Sequence, residues 1–489
     1  MDVEASVDTP DFGLSSQNLL LSVCRNAFAQ LTGRNLISLG RLVVASTVVR
    51  VYGKELFGQY SLLITLLTIA EWLLDFGTSD VFVREICQSP RDGSRFLRIL
   101  TSLKIFQILG GAAIFISLLY AMKYPPEVIR AGLAASTSLV CFGGVLIYHT
   151  IFKATLTIER EMAAELFSVI AMIFMVRYAT HHGGGLSSLF FCYAASRATF
   201  LVFCVIFGHR RFHLSVARVG LSDVAWGFRS SAAIGTIGLV VVVYEALDVL
   251  LLFRLMNPAS VGYYSGAQRF ISPMVVALAA IGGTIYPVAA SYWPVDKTRF
   301  ENSCQRALDA VFLLAGVPIC AIIASREFLM RLLGPDLVAG ASILSVLAFV
   351  LFVKAITNTL GPILYVIRAQ NYALWLVVFA VAMKATLIIA LATRFGYVGA
   401  AISAVITDST TAAATIYLLH RHSGFQAKWS VAVKVVLATL AAAYISRSLF
   451  FLTGPVAAVA AILMFTGMVL LTRAVRISEL RALLKWKTV

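Results

Sequence analysis

Long apolar stretches alternate with short polar segments along the whole of the 489-residue chain. An apolar stretch of roughly 20 residues is long enough to cross a bilayer as a helix, and Gly, Pro and charged residues mark where each stretch ends. The pattern predicts about fourteen transmembrane helices, at about residues 22–50, 57–86, 96–121, 127–152, 162–179, 186–208, 229–254, 260–292, 305–325, 338–366, 371–393, 397–420, 430–451 and 454–474. The links between them are short. The expected fold is therefore an all-α polytopic membrane protein without an extramembrane catalytic domain.

Composition supports this assignment, since 60% of the residues are hydrophobic, 13% are charged and the mean hydropathy is +0.87. The chain carries 40 Lys and Arg against 24 Asp and Glu, a formal net charge of +16. In a soluble protein such an excess would suggest nucleic-acid binding, but here the basic residues are spread over links and spans without a recognised binding module. Nucleic acid is therefore not an expected partner.

The basic residues are concentrated in alternate links, which the positive-inside rule places in the cytoplasm. Both termini are then expected on the cytoplasmic side. Residues 1–20, without the basic start of a signal peptide, are expected to form a disordered tail, and residues 476–489 a basic tail. The seven cysteines are scattered and lack a CxxC spacing, so we expect neither disulfides nor a metal site.

An internal duplication is visible when the chain is shifted by about 204 residues against itself. This offset aligns eight residues near helix ends with identical residues: Arg50 with Arg254, Gly58 with Gly262, Tyr60 with Tyr264, Ser61 with Ser265, Pro90 with Pro294, Asp92 with Asp296, Arg95 with Arg299 and Phe96 with Phe300. The pattern predicts two parallel six-helix bundles, residues 21–213 and 214–421, followed by two extra helices in residues 422–475. Such duplication is typical of transporters that bind substrate between repeats.

The same landmarks carry a family resemblance. The motifs are Arg50 to Ser61, Asp75-Phe76-Gly77 and Val83-Arg84-Glu85 in the first half, and Asp248 to Leu251, Val261 to Ser265 and Gln268-Arg269 in the second. They resemble polysaccharide flippases of the Wzx or polysaccharide-transport type, within the multidrug/oligosaccharidyl-lipid/polysaccharide exporter superfamily. Twelve spans are usual for these members, and the extra pair here is similar to that of the fourteen-span lipid II flippases.

The resemblance implies that the chain moves a lipid-pyrophosphate-linked oligosaccharide from the inner to the outer leaflet of the bacterial inner membrane. Such a lipid is a precursor of exopolysaccharide, lipopolysaccharide or another surface polysaccharide. Membrane lipids, the polysaccharide polymerase and the export machinery are then the expected partners. The resemblance implies a carrier and not an enzyme.

Charged residues inside the predicted spans are the candidate site, because an ionisable group in the membrane is costly unless it faces protein, water or substrate. In the first span, Gln30, Arg34, Ser38 and Arg41 recur at helical spacing and share one face. Three deep cations lack an obvious acidic partner: Arg41, Arg197 and Lys354. Together with Arg34 and Arg269 they are the candidates for binding an anionic headgroup.

Acidic residues at similar depths suggest structural pairs in the first half. Glu71 and Asp75, four residues apart on the second span, are placed to pair with Arg34. Lys104 lies near the inner end of the third span, where its side chain can reach the interface, so we expect it to have no part in substrate binding.

In the second half, Lys384 is placed to pair with Asp408, and Asp248 with Arg269, with Glu245 one turn from Asp248. The acids Glu71, Asp75, Glu245 and Asp248 could instead couple transport to H⁺ or Na⁺, and the sequence leaves this open. No Walker-type motif is present, so direct use of ATP and a bound cofactor are not expected.

The predicted mechanism is alternating access through a cationic cavity. Outward movement of a pyrophosphate is favoured by a negative cytoplasm, by about 2.3 kcal/mol per charge per 100 mV. Three alternatives remain open at this stage: a multidrug cation antiporter of the same superfamily, a membrane polysaccharide polymerase or ligase, and a structural anchor. The antiporter should be lined by acids, and the polymerase or ligase should have an extended outer loop, which this chain lacks.

Overall fold

The computed structural model describes residues 16–89, 92–208, 220–448 and 454–472. Within these ranges the regular elements are helices, which confirms the all-α prediction. They are α1 Ser16–Asp75, α2 Thr78–Gln88, α3 Gly93–Ala121, α4 Pro126–Ala154, α5 Ile158–His181, α6 Leu186–Gly208, α7 Leu221–Leu255, α8 Pro258–Gly283, α9 Ile285–Tyr292, α10 Lys297–Leu333, a 3₁₀ helix Pro335–Gly340, α11 Ala341–Leu360, α12 Ile363–Val366, α13 Gln370–Ser423, α14 Ser430–Ser448 and α15 Gly454–Leu471.

The two predicted tails are only partly within these ranges. Helix α1 begins at Ser16, inside the expected N-terminal tail of residues 1–20. Residues 1–15 and the basic tail, residues 476–489, lie outside the described residues.

The membrane-spanning potential is high throughout: in the described part of the chain, 12 helical segments are long and apolar enough to cross a membrane. The chain is a multi-pass membrane protein. The predicted number of fourteen crossings stays a prediction, because two of the 12 segments each cover a pair of predicted spans. These segments are Thr32–Gln88 and Asn371–Ser423, of 57 and 53 residues.

Each of these long segments is interrupted at a glycine that leaves the helical conformation. Gly53 has φ 76° and ψ −178° within α1, and Gly396 has φ 63° and ψ −148° within α13. A side chain with a Cβ disfavours this left-handed region, so glycine is the residue that permits the break. At 1.5 Å per residue a straight helix of either length would measure about 80 Å, far more than one bilayer core.

The duplication read from the sequence is visible in the helix boundaries. The short helices α2 and α9 end at Gln88 and Tyr292, and the long helices α3 and α10 begin at Gly93 and Lys297, so both pairs of boundaries match the predicted offset. The aligned Asp92 and Asp296 are the N-cap residues of α3 and α10. The structure thus confirms two repeats with the same order of helices.

Two aligned glycines allow close backbone packing between the equivalent segments of the repeats. A Cβ on Gly58 would collide with the carbonyl oxygen of Pro258, and a Cβ on Gly262 would collide with the carbonyl oxygen of Lys54. Lys54 and Pro258 are themselves related by the repeat offset, so the two contacts are equivalent. Glycine is required at both positions because the neighbouring atoms are backbone, which cannot move aside.

Contacts divide the chain into two units, residues 1–51 with 62–246, and residues 52–61 with 247–489. The division therefore falls inside α7 and not at the predicted boundary after residue 213. The reason is that the first part of α7 packs within the first unit. The indole Nε1 of Trp72 donates to the carbonyl oxygen of Gly235 at 3.3 Å, and the rings of Phe82 and Trp226 meet edge to face.

The two helices beyond the duplication, α14 and α15, pack against α10 in the second unit. Gly316 of α10 leaves room for this contact, because a Cβ there would lie 2.6 Å from the ring of Phe465. The side chain of Gln305 fixes the preceding link by donating to the carbonyl oxygen of Lys428 and accepting from its N–H. The extra pair is thus integrated into the second unit.

Candidate functional site

The first candidate region is one face of α1, which carries the predicted stripe of Gln30, Arg34, Ser38 and Arg41. Arg34 is exposed and forms no ion pair with any residue that the structure describes. The side chain of Arg41 is 49% exposed, and its Nη2 donates to Oε1 of Glu165 on α5 at 2.6 Å. A guanidinium group has five N–H donors, so this contact leaves most of those on Arg41 available.

Arg197 of α6 lies in a different environment, because three of its five N–H donors are engaged within the first unit. Its Nη2 donates to Oε1 of Glu71 at 2.6 Å and to the hydroxyl of Tyr193 at 2.7 Å, and its Nε donates to the same hydroxyl at 3.1 Å. The Tyr193 hydroxyl in turn donates to Glu71 at 3.0 Å. The guanidinium also stacks 4.8 Å from the ring centre of Phe142 on α4. This closed network links α1, α4 and α6.

A second buried network is centred on Lys104 of α3. Its side chain is 1% exposed, and the ammonium donates to the carbonyl oxygen of Leu74 at 2.9 Å, to Oδ1 of Asp75 at 3.1 Å and to Oγ1 of Thr78 at 2.7 Å. Gln107 adds a hydrogen bond to the carbonyl oxygen of Asp75. All three donors of the lysine are therefore used.

The second unit contains two Lys–Asp pairs on α7, α11 and α13. Lys384 and Asp248 are both 3% exposed and lie 2.7 Å apart. Lys354 and Asp408 are more accessible, with side chains 16% and 7% exposed, and lie 3.6 Å apart. Two further candidates lie on consecutive helices: Arg269 is half-buried on α8, and Glu245 is exposed on α7.

These contacts correct the expectation that Arg41, Arg197 and Lys354 lack acidic partners. Each forms an ion pair, with Glu165, Glu71 and Asp408 respectively. The expectation was based on depth along each span, which carries no information on which faces of neighbouring helices meet.

Two of the predicted pairings, that of Arg34 with Glu71 or Asp75 and that of Lys384 with Asp408, were wrong for the same reason. Glu71 binds Arg197 and Asp75 binds Lys104, so neither serves Arg34. Lys384 pairs with Asp248 and not with Asp408, whose partner is Lys354.

Three contributors were missed by sequence reasoning: Lys104, Glu165 and Tyr193. Lys104 was expected at the interface, but it is buried beside the Asp75-Phe76-Gly77 motif. The helix ends at this motif, and the carbonyl groups left without helical N–H partners can accept hydrogen bonds from a buried cation. Glu165 and Tyr193 gave no comparable signal, since a single Glu or Tyr in an apolar helix does not indicate its partner.

Metal binding finds little support in these groups. Among the described residues no cluster of three or more His, Cys, Asp or Glu side chains is placed to hold a metal ion. His149 of α4 and Glu161 of α5 form a hydrogen-bonded pair at 2.8 Å.

Comparison with solved structures places the fold among membrane transporters. The chain is similar to the lipid II flippase MurJ in an inward closed conformation, with a TM-score of 0.76 and 14% identity, covering 94% of this chain and 100% of that one. It is also similar to an inward-facing multidrug resistance MATE family transporter of the MOP superfamily, with a TM-score of 0.68 and 14% identity, covering 79% and 94%.

A third similar structure is a MOP superfamily transporter from Pyrococcus furiosus described as having a binding pocket of reverse polarity. Its TM-score is 0.58 at 13% identity, covering 82% of this chain and 95% of that one. At these identities the likeness shows the fold alone. None of the curated proteins gives a significant sequence match.

The family is shown by sequence. The profile of the polysaccharide biosynthesis protein family matches residues 23–293, more than half of the chain. This agrees with the resemblance carried by the motifs of the first hairpin and of α7 and α8. The chain belongs to the polysaccharide biosynthesis protein family, and its fold is similar to that of the MurJ flippase and MATE transporter structures.

Proposed function

We propose that the chain moves a lipid-pyrophosphate-linked oligosaccharide, the precursor of a surface polysaccharide, from the inner to the outer leaflet of a bacterial inner membrane. It does so by alternating access, with both termini in the cytoplasm. The observation that carries the proposal is the α1 face, where Arg34 and Arg41 offer guanidinium donors within a chain of the polysaccharide biosynthesis family.

The chemistry of the α1 face suits a pyrophosphate. Arg presents planar, paired N–H donors that match phosphate oxygens, and charge-assisted hydrogen bonds of this kind are about twice as strong as neutral ones. Arg41 is half-exposed and held by one contact to Glu165, so a phosphate oxygen can compete for its remaining donors. Arg34 lies about two turns away on the same face and requires no exchange of partners.

The other predicted cations take different roles in this proposal. Arg197 is enclosed by Glu71 and Tyr193 and positions the helices of the first unit. Lys354 remains a candidate for contacting an anionic group within the second unit, because its pair with Asp408 is long and partly accessible. Arg269 remains a candidate by its position on α8.

The membrane potential supplies a driving force for this substrate. Two negative charges that move outward from a negative cytoplasm gain about 2.3 kcal/mol each per 100 mV. In this proposal the polymerase and export machinery act on the product at the outer leaflet and keep its concentration low.

The test uses a strain in which this chain is the sole flippase for its surface polysaccharide. We expect the double variant Arg34→Gln/Arg41→Gln to reduce export at least about tenfold, since two charge-assisted contacts to phosphate are lost. Lipid-linked units should then accumulate on the inner leaflet, measured by their protection from a membrane-impermeant glycosidase. The matched control is Arg130→Gln, an exposed arginine at the start of α4.

The outcome that contradicts the proposal is full export by the double variant at normal membrane levels. A multidrug transporter is the second candidate, because the fold is shared with MATE family transporters. Under that function, loss of the chain would raise drug susceptibility. The fraction of lipid-linked saccharide that the glycosidase cleaves would stay the same as in the parent strain. If the chain were a polymerase, its loss would instead leave unpolymerised single units exposed on the outer leaflet.

A further inference from the structure

The break between α1 and α2 creates a set of oxygen atoms that faces inward to the protein. Phe76 has φ 42° and Gly77 has φ 72°, so the chain leaves the helical conformation directly after Asp75. The carbonyl oxygens of Leu74 and Asp75 at the end of α1 therefore accept from side chains, those of Lys104, Gln107 and Thr78, in place of helical N–H groups. A helix end of this kind carries partial negative charge, to which the Asp75 carboxylate adds a full charge.

The ammonium of Lys104 fills the space in front of these oxygens. It is surrounded by one backbone carbonyl oxygen, one carboxylate oxygen and one hydroxyl oxygen, at 2.7 to 3.1 Å, from Leu74, Asp75 and Thr78. With 1% exposure, it is one of the most completely buried charges in the described structure.

This donor set is also the one that binds a monovalent metal cation. Backbone carbonyls at the C-terminal ends of broken helices, together with carboxylate and hydroxyl oxygens, coordinate Na⁺ in secondary transporters. Here the position is occupied by an ammonium group that is covalently attached to α3. A soluble cation could enter only by displacing it, which would leave the buried Lys104 ammonium without a compensating charge.

We propose that Lys104 is a built-in cation, which permanently fills a monovalent-cation site at the α1 break. The consequence for the proposed flippase function, on which this second step rests, is that transport requires no Na⁺ or K⁺ at Asp75. The carboxylate that was a candidate for ion coupling serves instead to hold the helix break in one conformation.

A neighbouring pair shows what an ordinary Lys–Asp contact looks like in the same unit. Lys153 of α4 and Asp80 of α2 lie 2.5 Å apart, but their side chains are 40% and 49% exposed. Among the described residues, the ammonium of Lys153 contacts the Asp80 carboxylate and, unlike that of Lys104, no backbone carbonyl oxygen. Removing its ammonium therefore leaves an accessible carboxylate that water can solvate, which makes this pair the matched control.

The experiment measures the melting temperature of the full chain in detergent at alkaline pH, in NaCl, KCl or choline chloride of equal concentration. Wild type should melt at the same temperature in all three salts. The variant Lys104→Met should melt lower in choline chloride and regain about 5 °C in NaCl or KCl, because the vacated oxygens take up the metal cation. Lys153→Met should show no difference between salts.

A double variant tests the role of the carboxylate and guards against a folding defect. Asp75→Asn/Lys104→Met lacks both charges and should lose the preference for metal cations. If Lys104→Met folds only when NaCl or KCl is present, the proposal is supported. The proposal is overturned if that variant gains nothing from either metal cation, or if wild type shows a cation-specific gain that Asp75→Asn removes.

The flipping arm is separate from the melting arm, so the two proposals can fail independently. Purified wild type in liposomes should flip a polyprenyl-pyrophosphate saccharide at the same rate in NaCl and in choline chloride. A chain that flips no such lipid but shows the predicted melting behaviour would contradict the proposed function alone. Flipping that falls severalfold without Na⁺ or K⁺ in wild type, but not in Asp75→Asn, would overturn the built-in cation.

Discussion

Cations lie at both ends of α1, and their surroundings differ: two arginines belong to the helix near its start, and a lysine of α3 contacts its end. Near its start, Arg34 and Arg41 are exposed and half-exposed, and Arg41 makes a single contact to Glu165. At its end, Asp75 holds an ammonium, that of Lys104, whose three donors are all used. The start of α1 therefore has N–H donors available to a ligand, whereas the donors at its end are all bound by the protein.

A charge in a membrane span is therefore not by itself a binding group. Its role depends on whether its donors are satisfied by the protein and on whether its partner is accessible. A saturated, buried pair is expensive to break, whereas an open, half-exposed pair can exchange one acceptor for another.

The largest effect is expected from Glu71→Gln in the closed Arg197 network. The substitution removes the carboxylate bound to a guanidinium that is 11% exposed, and an uncompensated buried charge costs about 3 kcal/mol or more. The melting temperature in detergent should fall sharply, and little protein should reach the membrane.

The matched comparison is Glu165→Gln, which removes the partner of the half-exposed Arg41. Its cost should stay below about 1 kcal/mol, because the guanidinium remains accessible to solvent or headgroups. Equal losses in the two variants would show that exposure does not separate the two regions in the way proposed.

The second prediction applies the same contrast to the second unit. Lys384→Met uncovers Asp248, buried at 3% exposure and previously bound at 2.7 Å, so a loss of about 3 kcal/mol is expected. Lys354→Met removes a longer contact of 3.6 Å to Asp408 and should cost about 1 kcal/mol. Melting temperatures of both variants in one detergent give the comparison, and a reversed order would contradict it.

Much of the fold could be predicted from the sequence because lipid imposes simple rules on length and polarity. The apolar runs located the helices, and the match of Gly58 with Gly262 indicated the duplication that the helix boundaries confirm. The unit boundary was misplaced at residue 213 because the break in packing falls within α7, a continuous helix with no Gly or Pro punctuation at that point.

The candidate site was less accessible to sequence reasoning. Composition and depth identified Arg41, Arg197 and Lys354 as deep charges, but ion-pair partners depend on helix rotation and on contacts between distant parts of the chain. Arg41 and Glu165 are 124 residues apart in sequence, and Arg197 and Glu71 are 126 apart. No local pattern connects residues at such distances.

The smallest effect, and the one with an unusual sign, concerns binding of the anionic headgroup. If Glu165 competes with phosphate for Arg41, then Glu165→Gln should bind a polyprenyl pyrophosphate about threefold more tightly than wild type, since the competing contact is worth less than about 1 kcal/mol. Arg41→Gln should bind it more weakly, by quenching of intrinsic tryptophan fluorescence in detergent. The neutral polyprenol serves as the control lipid and should show no difference among the three proteins. Weaker binding by Glu165→Gln would mean that the carboxylate orients Arg41 for the ligand instead of competing with it, and the α1 face would then act as a preformed pair and not as an open donor set.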